Sequence, residues 1–287
     1  MRVPDAGEIR RLAQALGFTP TAAEIEAFQE GFEYWGPLLA SLDELEEDRP
    51  PVRRTVRDPG YRPGTDEDPY NCFITKCYVQ GATTGPLKVK RVGVKDTVCV
   101  AGVPMTLASR LFDGYVPDID ATVVTRLLDA GADIVGKLNM DTFAHGSHGL
   151  GTGIGDYPRV KNPHNPEHLS GGSSSGSAAA VAAGLVDLAV GGDQGGSIRH
   201  PAAWCGVIGH KPTHGLVPHT GIVGLEPRID YAGPMGRRVE DVARMLQCIA
   251  GRDGLDPRQV DVPEPEPYAD MLSEDIEGVR IGVLREG

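Results

Sequence analysis

The 287-residue sequence has no uninterrupted apolar run that approaches the ~20 residues needed to cross a membrane. It also has no excess of positive charge. Its formal net charge of −12 argues against non-specific binding to nucleic acid or to an anionic membrane. Residues 1–16 include many charged residues and lack the apolar core and the cleavage site of a signal peptide. These absences favour a globular cytoplasmic protein, with neither a nucleic acid nor a membrane as its partner.

Cysteines are few, and their spacing suggests no pairing. The five cysteines are an odd number and include no C-x-x-C motif, which indicates reduced thiols: Cys72, Cys77, Cys99, Cys205 and Cys248. A catalytic thiol is the alternative interpretation for Cys205. Its apolar neighbours should raise the pKa of the thiol, so we interpret Cys205 as a packed residue.

The apolar spacing divides the chain into a helical N-terminal part and a larger part. Residues 1–47 predict two helices, the second beginning at a capping box of Thr21 and Glu24 and expected to bend or break at Gly36-Pro37. Their apolar face either packs on the chain's own catalytic domain or forms a subunit interface. Residues 48–70 are rich in proline and charge and predict a linker. We therefore divide the chain into a helical extension with a linker, 1–69, and a catalytic domain, 70–287.

Beyond the linker, predicted strands and helices alternate. The predicted strands are 92–94, 133–136, 188–190 and 279–284, and the predicted helices are 120–130, 174–184 and 239–249. This alternation predicts an α/β fold, a sheet flanked by helices. Active residues should then lie at strand ends and in the loops that follow.

Two clusters of glycine and serine lie on either side of the small-residue segment 178–184, which is predicted to be helical. Glycine lets backbone N–H groups approach a reacting atom, and a hydroxyl among such donors combines a nucleophile with an oxyanion hole. Ser197 is the best nucleophile candidate, because it follows Asp193-Gln194-Gly195-Gly196, whose N–H groups can form an anion-binding nest.

A base for this serine is available in Lys95, which ends an apolar strand. Lysine can act as a base only when it is neutral, and burial can lower its pKa sufficiently. A buried lysine and an exposed serine are too far apart for direct transfer, so an intervening hydroxyl is expected. The cluster Ser173-Ser174-Ser175 offers three candidates.

Together these motifs resemble the amidase signature family, from about residue 70 to the end. The matching segments are Val94-Lys95-Asp96, Asn139-Met140-Asp141-Thr142-Phe143-Ala144, Gly146-Ser147, Gly171-Gly172-Ser173-Ser174-Ser175-Gly176-Ser177, Gly192-Asp193-Gln194-Gly195-Gly196-Ser197-Ile198-Arg199 and Gly206-Val207-Ile208-Gly209-His210-Lys211-Pro212-Thr213. The resemblance implies a mixed β-sheet covered by helices on both faces, with a helical N-terminal extension. It also implies hydrolysis of a small-molecule carboxamide without a metal or an organic cofactor.

The resemblance further implies a Ser–cis-Ser–Lys triad. Ser197 would be the nucleophile, Lys95 the base, and Ser173, after a cis peptide bond at Gly172–Ser173, the relay. The oxyanion hole would consist of the backbone N–H groups of Gln194, Gly195, Gly196 and Ser197. Asp193 and Arg199 would fix that loop, and Ser174 would support Ser173 by hydrogen bonding.

Gln194 stands where threonine or isoleucine is frequent, and together with Gly209-His210-Lys211-Pro212-Thr213 it makes the chain resemble most the actinobacterial amidases that act after nitrile hydratase. In that subgroup the N-terminal extension helps to form a dimer, which implies a homodimer here. Two alternatives stay open: the glutamine-hydrolysing A subunit of a tRNA-dependent amidotransferase, and an inactive remnant. The family usually continues well beyond Gly287, so a truncated chain is expected. Residues in the loops at 142–150 and in the segment after Thr220 are expected to contact the acyl group of the substrate and to select it.

Two other patterns are weaker. Residues 131–138 nearly match the motif of a phosphate-binding loop. Leu138, however, occupies the position at which the motif has a serine or threonine whose hydroxyl binds magnesium. His145 and His148 have the spacing of zinc ligands on a helix, yet their glycine neighbours predict a loop and no third ligand is evident. We therefore expect neither a nucleotide nor a metal.

Overall fold

The computed structural model describes residues 2–42, 44–45, 48–53, 55–149, 156–272, 277–280 and 282. The chain divides into two compact units, Met1–Asp48 and Arg49–Gly287. None of the described helices is both long and apolar enough to cross a membrane.

The first unit contains two helices, α1 (Ala6–Ala15) and α2 (Ala22–Leu42). The predicted capping box is confirmed: the N–H and the hydroxyl of Thr21 donate to Glu24 Oε2 at 2.7 and 2.8 Å, and the Glu24 N–H donates back to Thr21 Oγ1 at 3.3 Å. Helix α2 continues through Pro37, so the break expected there does not occur. Large apolar side chains of this unit are exposed, among them Phe28 and Trp35.

In the second unit, seven strands of the described residues form one mixed sheet, in the order β1-β2-β4-β3-β7-β9-β8. Their bounds are β1 Arg57–Tyr61, β2 Phe73–Val79, β3 Arg91–Lys95, β4 Asp133–Leu138, β7 Leu188–Asp193, β8 Ile208–Gly209 and β9 Tyr231–Gly236. Strand β3 is parallel to both β4 and β7, and the other pairs in this sheet are antiparallel. A separate ribbon pairs β5 (Lys161–Asn162) with β6 (Asn165–Leu169).

Helices cover both faces of the sheet. They are α3 Thr122–Asp129, α4 Ser175–Ala182, α5 Arg199–Trp204 and α6 Val239–Ile249. Leu188 and Val190 of β7 belong to the apolar cluster that includes α3 and α6, whereas Ala189 belongs to the cluster that includes α4 and α5. Successive side chains of a strand point to opposite faces, so the two helix pairs lie on opposite sides.

This mixed α/β architecture agrees with the predicted fold class. Helix α6 has the predicted bounds, 239–249, and β3, β4 and β7 contain the predicted strands. Of the predicted strand 279–284, residues 279, 280 and 282 are described and none of them belongs to a strand, whereas the other three lie outside the described residues. Short 3-10 helices occur at Arg110–Phe112 and Thr142–Ala144.

Strand β1 is unexpected, because it lies within the stretch 48–70 that predicts a linker. It is an edge strand that pairs only with β2, so Pro59 breaks no second row of hydrogen bonds. At Gly60 the chain has φ +83°, and an added Cβ would lie 1.8 Å from the carbonyl oxygen of Lys76. Because the bulge contains proline and glycine, a prediction based on apolar periodicity does not recognise this strand.

The parallel pairing of β3 with β7 places their carboxyl ends side by side. Lys95 is the last residue of β3, and Asp193 is the last residue of β7. The two predicted functional segments therefore meet at one edge of the sheet.

Candidate active site

Lys95 is buried, and its Nζ lies 2.7 Å from Ser173 Oγ. Burial lowers the pKa of Lys95 from 10.5 to about 7, and the nearby carboxylates of Asp141, Asp193 and Asp230 oppose this shift. An amine with this pKa is partly neutral near pH 7 and can therefore accept a proton there.

Ser173 has no exposed surface, and its peptide bond with Gly172 is cis. Its carbonyl oxygen accepts a hydrogen bond from the N–H of Asp141 at 3.0 Å. An added Cβ at Gly172 would lie 2.2 Å from Asp141 Oδ2, so only glycine fits here. Close packing against Asp141 thus holds Ser173 beside Lys95.

Ser197 lies two residues before helix α5 and is only 7% exposed. Its carbonyl oxygen accepts a hydrogen bond from the N–H of Ser174 at 3.1 Å. The main chains of the two glycine–serine clusters therefore touch. The fold brings Lys95 and Ser173 together and places the chain of Ser197 against the residue next to Ser173.

Asp193 organises the loop that carries Ser197. Its buried carboxylate accepts the N–H groups of Gly196 and Ile198 at 2.7 and 3.0 Å. The Arg199 guanidinium adds two bonds, from Nε at 3.1 Å and from Nη2 at 3.0 Å. Burial raises the pKa of Asp193, but the hydrogen bonds from Arg199, Ile198 and Gly196 outweigh it and hold the pKa below its usual value. The carboxylate is the common acceptor that fixes residues 196–199.

The same contacts bear on the predicted oxyanion donors. The N–H of Gly196 is occupied by Asp193, so it is not available to a reacting carbonyl. Within the described part of the chain, the N–H groups of Gln194, Gly195 and Ser197 donate to no protein acceptor. Gly195 is exposed, and an added Cβ there would meet nothing within 4 Å. Three of the four predicted donors are thus available.

Ser174 differs from the expectation that it supports Ser173. Its hydroxyl donates to the carbonyl oxygen of Gly192 at 3.0 Å and accepts the N–H of the same residue at 3.1 Å. Ser174 precedes the first turn of α4, which packs on β7, and its side chain satisfies the main chain near the end of that strand. Its contact is with the strand that leads to Asp193.

Sequence reasoning missed a second buried lysine. Lys137 lies within β4 and forms an ion pair with Asp96, the residue after Lys95. Residues 131–138, which nearly match the motif of a phosphate-binding loop, therefore lie largely in strand β4, and Lys137 is paired with the carboxylate of Asp96. The available signal was the charge of Lys137 within the otherwise apolar run 134–138.

Cys205 is buried, and its Sγ donates to the carbonyl oxygen of Ser170 at 3.3 Å. Burial raises the pKa of this thiol to about 12, as its apolar neighbours predicted. All five cysteines lie within the described residues, and none forms a disulfide. The described residues contain no group of three or more histidine, cysteine, aspartate or glutamate side chains that could hold a metal ion.

Comparison with known proteins adds to this geometry. A family model described as Amidase matches residues 74–287. The chain belongs to the amidase signature family. An enantioselective amidase of Rhodococcus rhodochrous is 41% identical over 292 residues, which cover 99% of this chain and 54% of the relative. The A subunit of a glutamyl-tRNA(Gln) amidotransferase of Rhodopirellula baltica is 49% identical over 207 residues, 72% of this chain and 41% of the relative.

Solved structures give the same family. The peptide amidase of Stenotrophomonas maltophilia has a TM-score of 0.60 and 41% identity, over 64% of this chain and 38% of that one. The A subunit of the glutamyl-tRNA(Gln) amidotransferase of Thermotoga maritima has a TM-score of 0.63 and 41% identity, over 67% and 42%. The chain thus spans about half the length or less of these four relatives, with 54% as the largest share.

Proposed function

We propose that this chain hydrolyses small carboxamides through an acyl-enzyme on Ser197, with Ser173 as relay and Lys95 as base. The observation that carries the proposal is the 2.7 Å contact between Lys95 Nζ and Ser173 Oγ. A lysine with a pKa of about 7, in contact with a buried hydroxyl, has the proton affinity that a base needs near neutrality. Family membership supports amide hydrolysis as the reaction class.

In the first half-reaction, neutral Lys95 takes the proton of Ser173, and Ser173 takes that of Ser197. Ser197 Oγ then bonds to the amide carbon, and negative charge develops on the carbonyl oxygen. The available N–H groups of Gln194, Gly195 and Ser197 can receive that charge. Loss of one such donor typically costs ~3 kcal/mol of transition-state stabilisation. The proton returns through Ser173 to the nitrogen as the C–N bond breaks, and ammonia or an amine leaves.

In the second half-reaction, water attacks the acyl carbon. Ser173 takes a proton from the water and passes one to Lys95, and Ser197 recovers its proton as the ester C–O bond breaks. The product is a carboxylic acid, which ionises to the carboxylate. Ser173 therefore acts first as a base and then as an acid in each half-reaction. No step of this scheme requires a metal or an organic cofactor.

A second candidate function is the hydrolysis of glutamine as the A subunit of a tRNA-dependent amidotransferase. The amidotransferase subunit of Rhodopirellula baltica has the higher identity of the two relatives, 49% against 41%. Its match covers 72% of the chain, however, whereas the match to the enantioselective amidase covers 99% and so includes the helical unit Met1–Asp48. This coverage favours the stand-alone amidase.

Ammonia release from benzamide, propionamide and L-glutamine, each supplied to the purified chain, tests the proposal. We expect turnover of the simple amides and its loss in Ser197→Ala. Dependence on glutamine and on an added small subunit would favour the second candidate. If the folded chain releases no ammonia from any of the three substrates, the proposal is wrong and the inactive remnant is the better interpretation.

We also propose a homodimer formed through α1 and α2. Phe28 and Trp35 both lie on α2 and are 59% and 58% exposed, and large apolar side chains that lie together on a surface mark interaction sites. Sedimentation velocity should detect a dimer, and Trp35→Glu should shift it toward the monomer. A monomeric wild-type chain at micromolar concentration would contradict this.

A further inference from the structure

The side chain of Gln194 is held in a fixed orientation. Its Nε2 donates to Asp230 Oδ1 at 2.7 Å. Asp230 is itself 1% exposed, and its other oxygen accepts the N–H groups of Leu225 and Glu226 at 2.9 and 3.0 Å. A carboxylate in this setting can only accept. The carboxamide of Gln194 must therefore turn its NH2 group toward Asp230.

The loop around Asp230 holds the carboxylate in place for this contact. An added Cβ at Gly224 would lie 2.3 Å from Asp230 Oδ2, so a larger residue there would displace the carboxylate. Arg258 Nη1 donates to the carbonyl oxygen of Asp230 at 3.0 Å, and the same guanidinium is paired with Asp256. Asp230 is thus anchored from both its side chain and its main chain.

This orientation also determines the surroundings of the carboxamide oxygen of Gln194. Gln194 Oε1 is buried and has no hydrogen-bond partner among the described residues. A buried acceptor without a donor is costly, and native structures usually pair it. The chemical group that would satisfy it is an N–H or O–H donor.

A carboxamide substrate brings such a donor to this loop. The N–H of Gln194 is one of the three available oxyanion donors, so it would bind the carbonyl oxygen of the substrate. The leaving nitrogen is bonded to the same carbon as that oxygen, and the Gln194 side chain begins at the same residue as the N–H donor. We infer that Gln194 Oε1 accepts a hydrogen bond from the N–H of the scissile amide, and that Asp230 sets this preference by orienting Gln194.

This inference rests on the proposed amide hydrolysis and adds a basis for substrate choice. The site should favour primary and secondary amides over esters of the same acid, since an ester has no N–H to offer. Gln194 would contribute its side chain to specificity and its main chain to the oxyanion. Asp230, which acts through Gln194, would be a positioning residue.

The test compares kcat/KM for benzamide and for methyl benzoate in the wild type, Gln194→Met and Asp230→Asn. Methionine keeps the length and the main-chain N–H but offers no comparable acceptor. In Asp230→Asn, the new carboxamide would keep its oxygen toward Leu225 and Glu226 and turn its NH2 toward Gln194, which forces the Gln194 carboxamide to reverse and present NH2 to the substrate. We expect the amide-to-ester ratio to fall about five- to tenfold in both variants. Gln247→Met, on the exposed face of α6, is the matched control and should keep the wild-type ratio.

A merely structural role would lower amide and ester turnover in parallel and leave the ratio unchanged. That result in either variant, with a wild type active on both substrates, would overturn the inference while the proposed function stands. A wild type that hydrolyses neither substrate would overturn both.

Discussion

Lys137 and Asp96 form an ion pair without exposed surface, with Nζ and Oδ1 2.9 Å apart. Asp96 Oδ2 accepts the N–H and the hydroxyl of Thr106, each at 2.9 Å. Because Asp96 directly follows Lys95, the pair ties the carboxyl end of β3 to β4 and to the loop that contains Thr106. The arrangement fixes the main chain from which Lys95 extends.

Removal of one partner should be more damaging than replacement of both. Lys137→Met leaves the Asp96 carboxylate buried and uncompensated, and we expect a loss of about 3–5 kcal/mol in the free energy of unfolding. The double variant Asp96→Asn/Lys137→Met removes both charges and keeps an acceptor for Thr106, so it should be more stable than the single variant. Urea denaturation measures both. Equal losses in the single and double variants would contradict this account.

Elements with clear apolar periodicity could be predicted from the sequence. Helix α6 has apolar residues three and four apart, and its buried members are Val242, Met245, Leu246 and Ile249. The central strands β3, β4 and β7 are apolar on both faces because helices cover both, and they too were predicted. Strands β1, β2, β8 and β9 of the sheet were not predicted. Strands β1 and β9 each contain Pro and Gly, and in each the backbone pairing outweighs the local preference.

The candidate site, too, could be predicted only in part. The serines, Lys95 and Asp193 lie in motifs that can be recognised from consecutive residues of the sequence. The partners of Lys137 and Gln194 cannot be read in this way, because Asp96 is 41 residues from Lys137 and Asp230 is 36 residues from Gln194. Contacts at such separations are set by the order of strands in the sheet. The hydroxyl of Ser174 illustrates the same limit, since its partner depends on how α4 packs on β7.

The base should impose a simple pH profile on amide hydrolysis. Only neutral Lys95 can accept the proton, and its pKa is about 7 because burial opposes the charged form. We expect kcat/KM to rise about tenfold per pH unit below this pKa and to level off above it. Initial rates between pH 5 and 9 measure the profile. Lys95→Arg should be inactive throughout, because a guanidinium stays protonated. A flat profile, or an active arginine variant, would rule out Lys95 as the base.

The same pKa makes a prediction for stability. The pKa of Lys95 is about 7 in the folded chain, against 10.5 as its ordinary value. Between these values the unfolded state binds the proton and the folded state does not, so folding is penalised and the penalty shrinks as the pH rises. Below pH 7 the penalty is constant and, with a shift of this size, of the order of a few kcal/mol. Lys95→Met lacks this penalty at every pH.

The free energy of unfolding of the wild type, relative to Lys95→Met, should therefore rise from pH 7 to pH 10. Chemical denaturation at several pH values measures this difference, in which the other titrating groups cancel. The hydrogen bond to Ser173 that methionine loses adds an offset that should depend little on pH. A difference that does not change over this range would show that Lys95 is not held neutral by burial.

Ser173 and Ser174 are adjacent and both fully buried, but the same substitution should affect kcat very differently at the two positions. Ser173→Ala removes the acceptor of the Lys95 hydrogen bond and the proposed relay, so kcat should fall by about 10²–10⁴-fold. The buried amine of Lys95 then lacks its acceptor, which should also cost about 1–3 kcal/mol of stability. Ser174→Ala leaves the N–H and carbonyl of Gly192 without the hydroxyl they share, so it should cost about 1–3 kcal/mol of stability. The kcat of the fraction that stays folded should fall less than in Ser173→Ala. Steady-state ammonia release and thermal unfolding of the two variants separate these effects. If Ser173→Ala keeps more than a tenth of the wild-type kcat, the proton does not travel through that hydroxyl, and the contact with Lys95 is structural.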